Sequence, residues 1–158
     1  MNTMADKDAL ELLDADHIAA KHLFVEYARM AFAAPQASAS ERRELAAAIC
    51  QELTVHVQIE EEVFYAALRE AVPDAAPLLD EAQAEHQKVK DFVARIQGMD
   101  KAGPQMDEQV AQLAGLMEHH VKEERDELFP KAKTAKALDL ADLGVQLRER
   151  QQALQAEA

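Results

Sequence analysis

Two stretches decide the fold: residues 56–68, HVQIEEEVFYAAL, and residues 119–133, HHVKEERDELFPKAK. In each, a histidine is followed four residues later by a glutamate, His56 with Glu60 and His120 with Glu124. The apolar residues around them recur at threes and fours, Leu45, Ile49, Leu53 (or Glu52), Val63 and Ala67 in the first, Val110, Leu113, Met117 and Leu128 in the second. That period is helical, and it puts each His–Glu pair on the inward face of its helix.

Upstream of each pair lies another helical pattern with a single histidine in its apolar stripe. The first reads Leu10, Leu13, His17, Phe24 and Ala31; the second reads Leu79, Ala82, His86, Val89, Val93 and Ile96. The chain is thus a near-duplication, a histidine helix followed by a His-x-x-x-Glu helix, twice over. His17 and His56 are 39 residues apart and His86 and His120 are 34 apart, the length of half a helix, a short connection and half the next. Two αα-hairpins with these intervals bring four histidines to one level of a bundle.

Breakers separate the helices. AAPQASAS carries Pro35 and a Ser38/Glu41 pair that reads as a capping box; VPDAAP, QGMDKAGP and the segment after Pro130 supply the other breaks. The prediction is an all-α, up-down-up-down four-helix bundle with helices at about 7–33, 39–71, 76–98 and 105–136, within a unit of residues 1–136. Residues 137–158 read as a C-terminal tail with a short helix at about 139–155, whose stripe of Leu140, Leu143, Leu147 and Leu154 either caps the bundle or pairs with a second copy.

Composition agrees. The 158 residues are 49% hydrophobic with only four Gly and five Pro, and the net charge is −13. Such a charge disfavours nucleic acid and anionic lipid as partners, and no window is apolar enough for a membrane span. A single cysteine, Cys50, excludes an internal disulfide and reads as buried packing; with no export signal in the N-terminal segment, the expectation is a reducing cytoplasm.

Four imidazoles and two carboxylates on inward stripes need compensation, because unpaired buried charge costs several kcal/mol. Lys90 and Arg125 lie off or at the margins of the stripes, so a cation is the economical partner. His17, His56, Glu60, His86, His120 and Glu124 offer too many donors for one four-coordinate zinc and about enough for two ions sharing bridging carboxylates. Nitrogen and oxygen donors with open positions suit two iron ions, with manganese or zinc as substitutes. His119 reads as a surface or supporting residue able to pair with Glu123, and His22 as a plain polar residue. Glu61 and Glu123 are supporting or supplementary carboxylates, while Tyr27 and Tyr65 read as packing, with a phenol near an open position as the alternative. No nucleophilic triad or phosphate-binding glycine loop points to a hydrolase or transferase.

Taken together, DHIAAKHLF, HVQIEEEVFYAAL, EHQKVKDF and HHVKEERDELFPKAK resemble the four signature segments of bacterial hemerythrin-like proteins of the HHE cation-binding family. The resemblance spans about residues 10–135. It implies a non-haem di-iron centre on the six residues named above that binds, senses or detoxifies dioxygen, nitric oxide or peroxide, with weak peroxidase- or catalase-like turnover compatible with it. Oxygen-carrying hemerythrins have His-x-x-x-His on the third helix, where this chain has Lys90 four residues after His86, and a longer His-to-Asp spacing on the fourth. The expected site is therefore a more symmetric one of four histidines and two glutamates. The alternative function is a cytoplasmic iron buffer without redox ligand chemistry.

Overall fold

A computed structural model describes residues 7–157. Residues 1–6, part of the segment read as lacking an export signal, and residue 158 lie outside the described residues. Among the described residues there are helices and no strands. Helix α1 (Ala9–Ala33) starts with a capping box in which Asp8 accepts from the Glu11 amide and the Glu11 side chain accepts from the Asp8 amide. Helix α2 spans 39–71, α3 is Ala76–Gln97 behind a single 3₁₀ turn (Pro73–Ala75), α4 spans 104–134 and α5 is Leu140–Glu157. The first four helices form the bundle in ring order α1, α2, α3, α4, and α5 lies across α1 and α2.

Neither α2 nor α4 is α-helical throughout. A π-helical segment, Glu60–Tyr65, follows Ala39–Ile59, and another, Glu124–Leu128, follows Pro104–Glu123. Each begins at the glutamate of its His–Glu pair. A π turn absorbs about one extra residue, so the inward face slips by one position beyond it. The predicted stripe residues Val63 and Ala67 are accordingly only partly buried, and Phe64 and Leu68 are fully buried in their place. In α4 Phe129 and Ala132 join Leu128 inside for the same reason.

The expected Ser38 capping bond is not made. Ser38 Oγ donates instead to the Met30 carbonyl at 3.1 Å and accepts from Arg42 Nε at 2.9 Å. Arg42 is 1% exposed and also bonds the Pro35 carbonyl and Asp107, to which the Tyr27 hydroxyl donates at 2.7 Å. This knot ties the α1–α2 connection to the start of α4, and the guanidinium takes the oxygen that would have capped the helix.

Apolar residues form two clusters rather than one. The first includes Leu10, Leu13, Ile59, Phe64, Leu79 and Phe129, and the second Phe24, Ile49, Leu53, Val89, Leu113 and Met117. Along every bundle helix the histidine falls between members of the two, so the polar layer is sandwiched between apolar floors. Leu143, Leu147 and Leu154 of α5 belong to the first cluster, so this stripe is buried within its own chain. Full burial of each leucine is worth about 1.5–3 kcal/mol. Docking is close where Gly144 meets the start of α1: a Cβ there would sit 2.5 Å from the Lys7 carbonyl oxygen. No helix among the described residues is long and apolar enough to cross a membrane.

Candidate metal centre

The six residues singled out from the sequence converge on one buried space. Donor atoms of His17, His56, Glu60 and Glu124 lie within 4.8 Å of one another, as do those of Glu60, His86 and His120, so Glu60 belongs to both groups. Glu60 Oε1 is 3.2 Å from His56 Nε2 and 3.1 Å from His86 Nε2, and Glu124 lies 3.2 Å from His17 Nε2 and 3.4 Å from His120 Nε2. Both glutamates are sealed from solvent, at 0% and 1% exposure. Within each hairpin the imidazoles meet tip to tip: Nε2 of His17 and His56 are 3.1 Å apart, as are those of His86 and His120.

The far side of the rings fixes which nitrogen carries a hydrogen. His56 Nδ1 faces Asp16 at 3.1 Å, His86 Nδ1 faces Glu61 at 2.8 Å, and His120 Nδ1 faces Glu85 at 2.8 Å. An ionised carboxylate only accepts, so each Nδ1 donates and the neutral ring presents a lone pair at Nε2. His17 differs, with Nδ1 3.7 Å from Asp14 and no hydrogen-bond partner. In the His86–His120 pair two lone pairs therefore converge at 3.1 Å, and they repel unless something positive lies between them. Carboxylate behind imidazole, imidazole toward the centre, is the arrangement that orients histidines for a metal ion.

Without an ion, protons take that place. Burial alone would lower His56, but the Glu60 charge and the bonds to Asp16 and Glu60 push it up to about 10. His120 goes the same way: burial opposes it, and bonds to Glu124, Glu60 and Glu85 push it to about 12. Burial would raise the Glu60 carboxyl, yet the His56 charge and bonds from His120, His56 and His86 hold it well below the usual range. Even so, Glu60 Oε2 and Glu124 Oε1 are buried without a hydrogen-bond partner. Orphaned carboxylate oxygens beside inward lone pairs fit cations as the missing partner.

Tyr65 is a site residue that helical spacing hides. In an α-helix a residue five positions on lies about 140° round the axis, which would turn Tyr65 away from Glu60. The π segment brings it inward, where its hydroxyl donates to Glu124 Oε2 at 2.7 Å and lies 3.3 Å from His120 Nε2 and 3.4 Å from His86 Nε2. Burial first, then the charges of Glu60 and Glu124, keep this phenol protonated far above its usual range. The matching residue of the other half is Phe129, stacked at 6.4 Å on His17, so one side of the centre has a hydroxyl and the other a phenyl ring. Asp16 and Glu85 also escaped the sequence reading. Their signal is the acid–histidine pair at the start of both repeats, Asp16–His17 and Glu85–His86.

The remaining sequence expectations divide. Glu61 supports His86 and is itself held by Lys90 Nζ at 3.1 Å; Arg125 holds Asp14 at 2.9 Å. His119 is exposed and pairs with Glu123 at 2.9 Å. His22 is exposed. Tyr27 belongs to the Arg42 knot, and Cys50 is buried packing whose thiol burial raises to about 11.

Residues 8–132 match the profile of the hemerythrin HHE cation binding domain. The chain belongs to this family. A crystal structure of a hemerythrin HHE cation binding domain-containing protein from Mycobacterium kansasii has the same fold, with a TM-score of 0.75 over 96% of this chain and 89% of that one at 24% identity. Among curated proteins none matches the chain significantly. The family and the His/Glu groups together make this a hemerythrin-like protein with residues that could hold metal ions.

Proposed function

We propose that the chain is a non-haem di-iron protein that binds a small ligand of the dioxygen, nitric oxide or peroxide type. One ion would be held by His17, His56, Glu60 and Glu124, the other by His86, His120 and Glu60, with manganese or zinc as substitutes. The observation that carries this reading is the pair of buried donor groups sharing Glu60, in which Glu60 Oε2 and Glu124 Oε1 lack a hydrogen-bond partner. Bound there, two iron ions supply open coordination positions and electrons for a small ligand.

The chain's own residues shape that chemistry. Asp16, Glu61 and Glu85 hold three of the rings in one tautomer. The two apolar clusters exclude water from above and below. Tyr65 Oη keeps a proton beside Glu124, His86 and His120 and can donate it in a hydrogen bond to a ligand on that side, while Phe129 leaves the other side apolar. An open groove between α2 and α3, lined by Val57, Glu61, Val89 and Lys90, brings solvent as far as the carboxylate behind His86. A cytoplasmic setting belongs to the same proposal and agrees with the single buried, unpaired Cys50.

The test is anaerobic loading with ferrous iron, exposure to air, and absorption spectra with and without azide. Two irons per chain and a near-ultraviolet band that shifts with azide are expected. Tight uptake with no azide response would make the protein an iron buffer instead.

A further inference from the structure

The two halves of the bundle share one constellation but differ on their outer sides. Aligning His17 with His86 and His56 with His120 pairs Asp16 with Glu85, Leu12 with Glu81, Val55 with His119 and Ile59 with Glu123. In the first half this side is closed. Leu12, Val55 and Ile59 are buried, and Gln151 of α5 donates to both oxygens of Asp16 at 3.0 Å.

In the second half the equivalent positions are acidic or imidazole, and Glu81 and His119 are exposed. His119 Nε2 lies 2.9 Å from Glu123 Oε1 and 3.6 Å from Glu85 Oε2, and one donor atom from each residue falls within a 4.8 Å set. Glu85 faces two ways, because its other oxygen, Oε1, accepts from His120 Nδ1 at 2.8 Å. Between α3 and α4 runs a cleft whose lining includes Glu81, Glu85 and Glu123 and continues to His120 and Glu124 of the buried centre. Glu124 is 1% exposed and its Oε1 has no hydrogen-bond partner. Two of the three outer donors, Glu85 and Glu123, thus line one small cleft with the buried carboxylate of Glu124, at the register where the other half is plugged by aliphatic side chains.

We propose that Glu85, His119 and Glu123 form an outer site for a divalent transition-metal cation, from which the buried centre is loaded through the α3–α4 cleft. The proposal rests on the reading of the buried residues as a metal centre. One imidazole and two carboxylates suit Fe²⁺, Mn²⁺, Co²⁺ or Zn²⁺ without selecting among them. A cleft with a predominantly acidic lining concentrates cations and raises their association rates by roughly 10-fold or more, and an outer ligand set lets a cation shed water before it reaches the buried centre.

The experiment uses Co²⁺ on the metal-free full chain and on the double variant His119→Ala with Glu123→Gln, leaving Glu85 to support His120. The chain has two tyrosines and no tryptophan, so tyrosine emission, quenched as Co²⁺ arrives beside Tyr65, reports filling of the buried centre in stopped flow. Equilibrium dialysis counts the ions. The expected result is a weaker additional ion in the wild type that the double variant lacks, the same number of tightly held ions in both, and roughly 10-fold slower quenching in the variant. Equal loading rates overturn the proposal while the tight ions still support the buried centre. A lost weak ion with unchanged rate means an adventitious surface ion only and overturns it too. A wild type that holds no tight ion removes the buried centre and, with it, the loading role.

Discussion

Filling the buried centre should expel protons, in a number the geometry sets. His56 and His120, at about 10 and about 12, are protonated at pH 7.5, and their Nε2 atoms are the ones a metal ion must use. Removing the His56 proton at that pH costs roughly 3 kcal/mol, about 1.4 kcal/mol per pH unit. His120 costs more. Apparent affinity should therefore rise about tenfold per pH unit for each proton displaced, so about a hundredfold per unit for the filled pair. Calorimetric titration with Zn²⁺ in buffers of different ionisation enthalpy measures the release directly, and about two protons per chain are expected between pH 7 and 8. The same shifts set the stability of the metal-free chain. A histidine raised above its unfolded value of 6.5 contributes stability fully present below about pH 6.5 and lost as pH climbs through 10. The metal-free melting temperature should thus fall between pH 7 and 10, and that of the loaded protein should not. Zinc binding with no proton release and no pH dependence would refute the view that ions and protons compete for these nitrogens.

Other perturbations probe the supporting residues. Tyr65→Phe should cost the metal-free chain about 1.5–3 kcal/mol, the range for a hydrogen bond to a charged group, and much less once ions hold Glu124; urea melts of both forms give the difference. Phe129 shows that the bundle packs a phenyl ring at the equivalent place, so the fold should survive. Glu85→Gln should weaken zinc affinity by about 10- to 100-fold, as expected when a carboxylate behind a histidine ligand is lost; competition with a chromophoric chelator reads it. Gly144→Ala should destabilise by about 1–3 kcal/mol, because its Cβ meets backbone rather than a movable side chain; thermal melting checks it, and unchanged stability would mean α5 docks less tightly than described.

Much of this molecule is legible in the sequence because one signal repeats. Histidines in four apolar stripes at matching intervals place the helices, their order and the level of the polar layer, and the structure keeps them there. Part of what escaped depends on backbone that leaves the α-helical period. The successive fours at 56, 60, 64 and 68, and again at 120, 124, 128 and 132, drift too far for one α-helical face. They mark the π segments, and missing them assigned Val63 and Ala67 to the core and left Tyr65 among the packing residues. Ser38 failed as a cap for another reason. Its hydroxyl is claimed by Arg42, a contact that depends on Asp107 from the distant start of α4. Asp16 and Glu85 were missed because each supports the histidine of a neighbouring helix rather than the one beside it in sequence.

The most direct measurement is anomalous diffraction at the iron absorption edge from crystals of the iron-loaded chain. Two buried peaks are expected, one among His17, His56, Glu60 and Glu124 and one among Glu60, His86 and His120. A single peak, or peaks confined to the surface, would contradict a shared dinuclear centre.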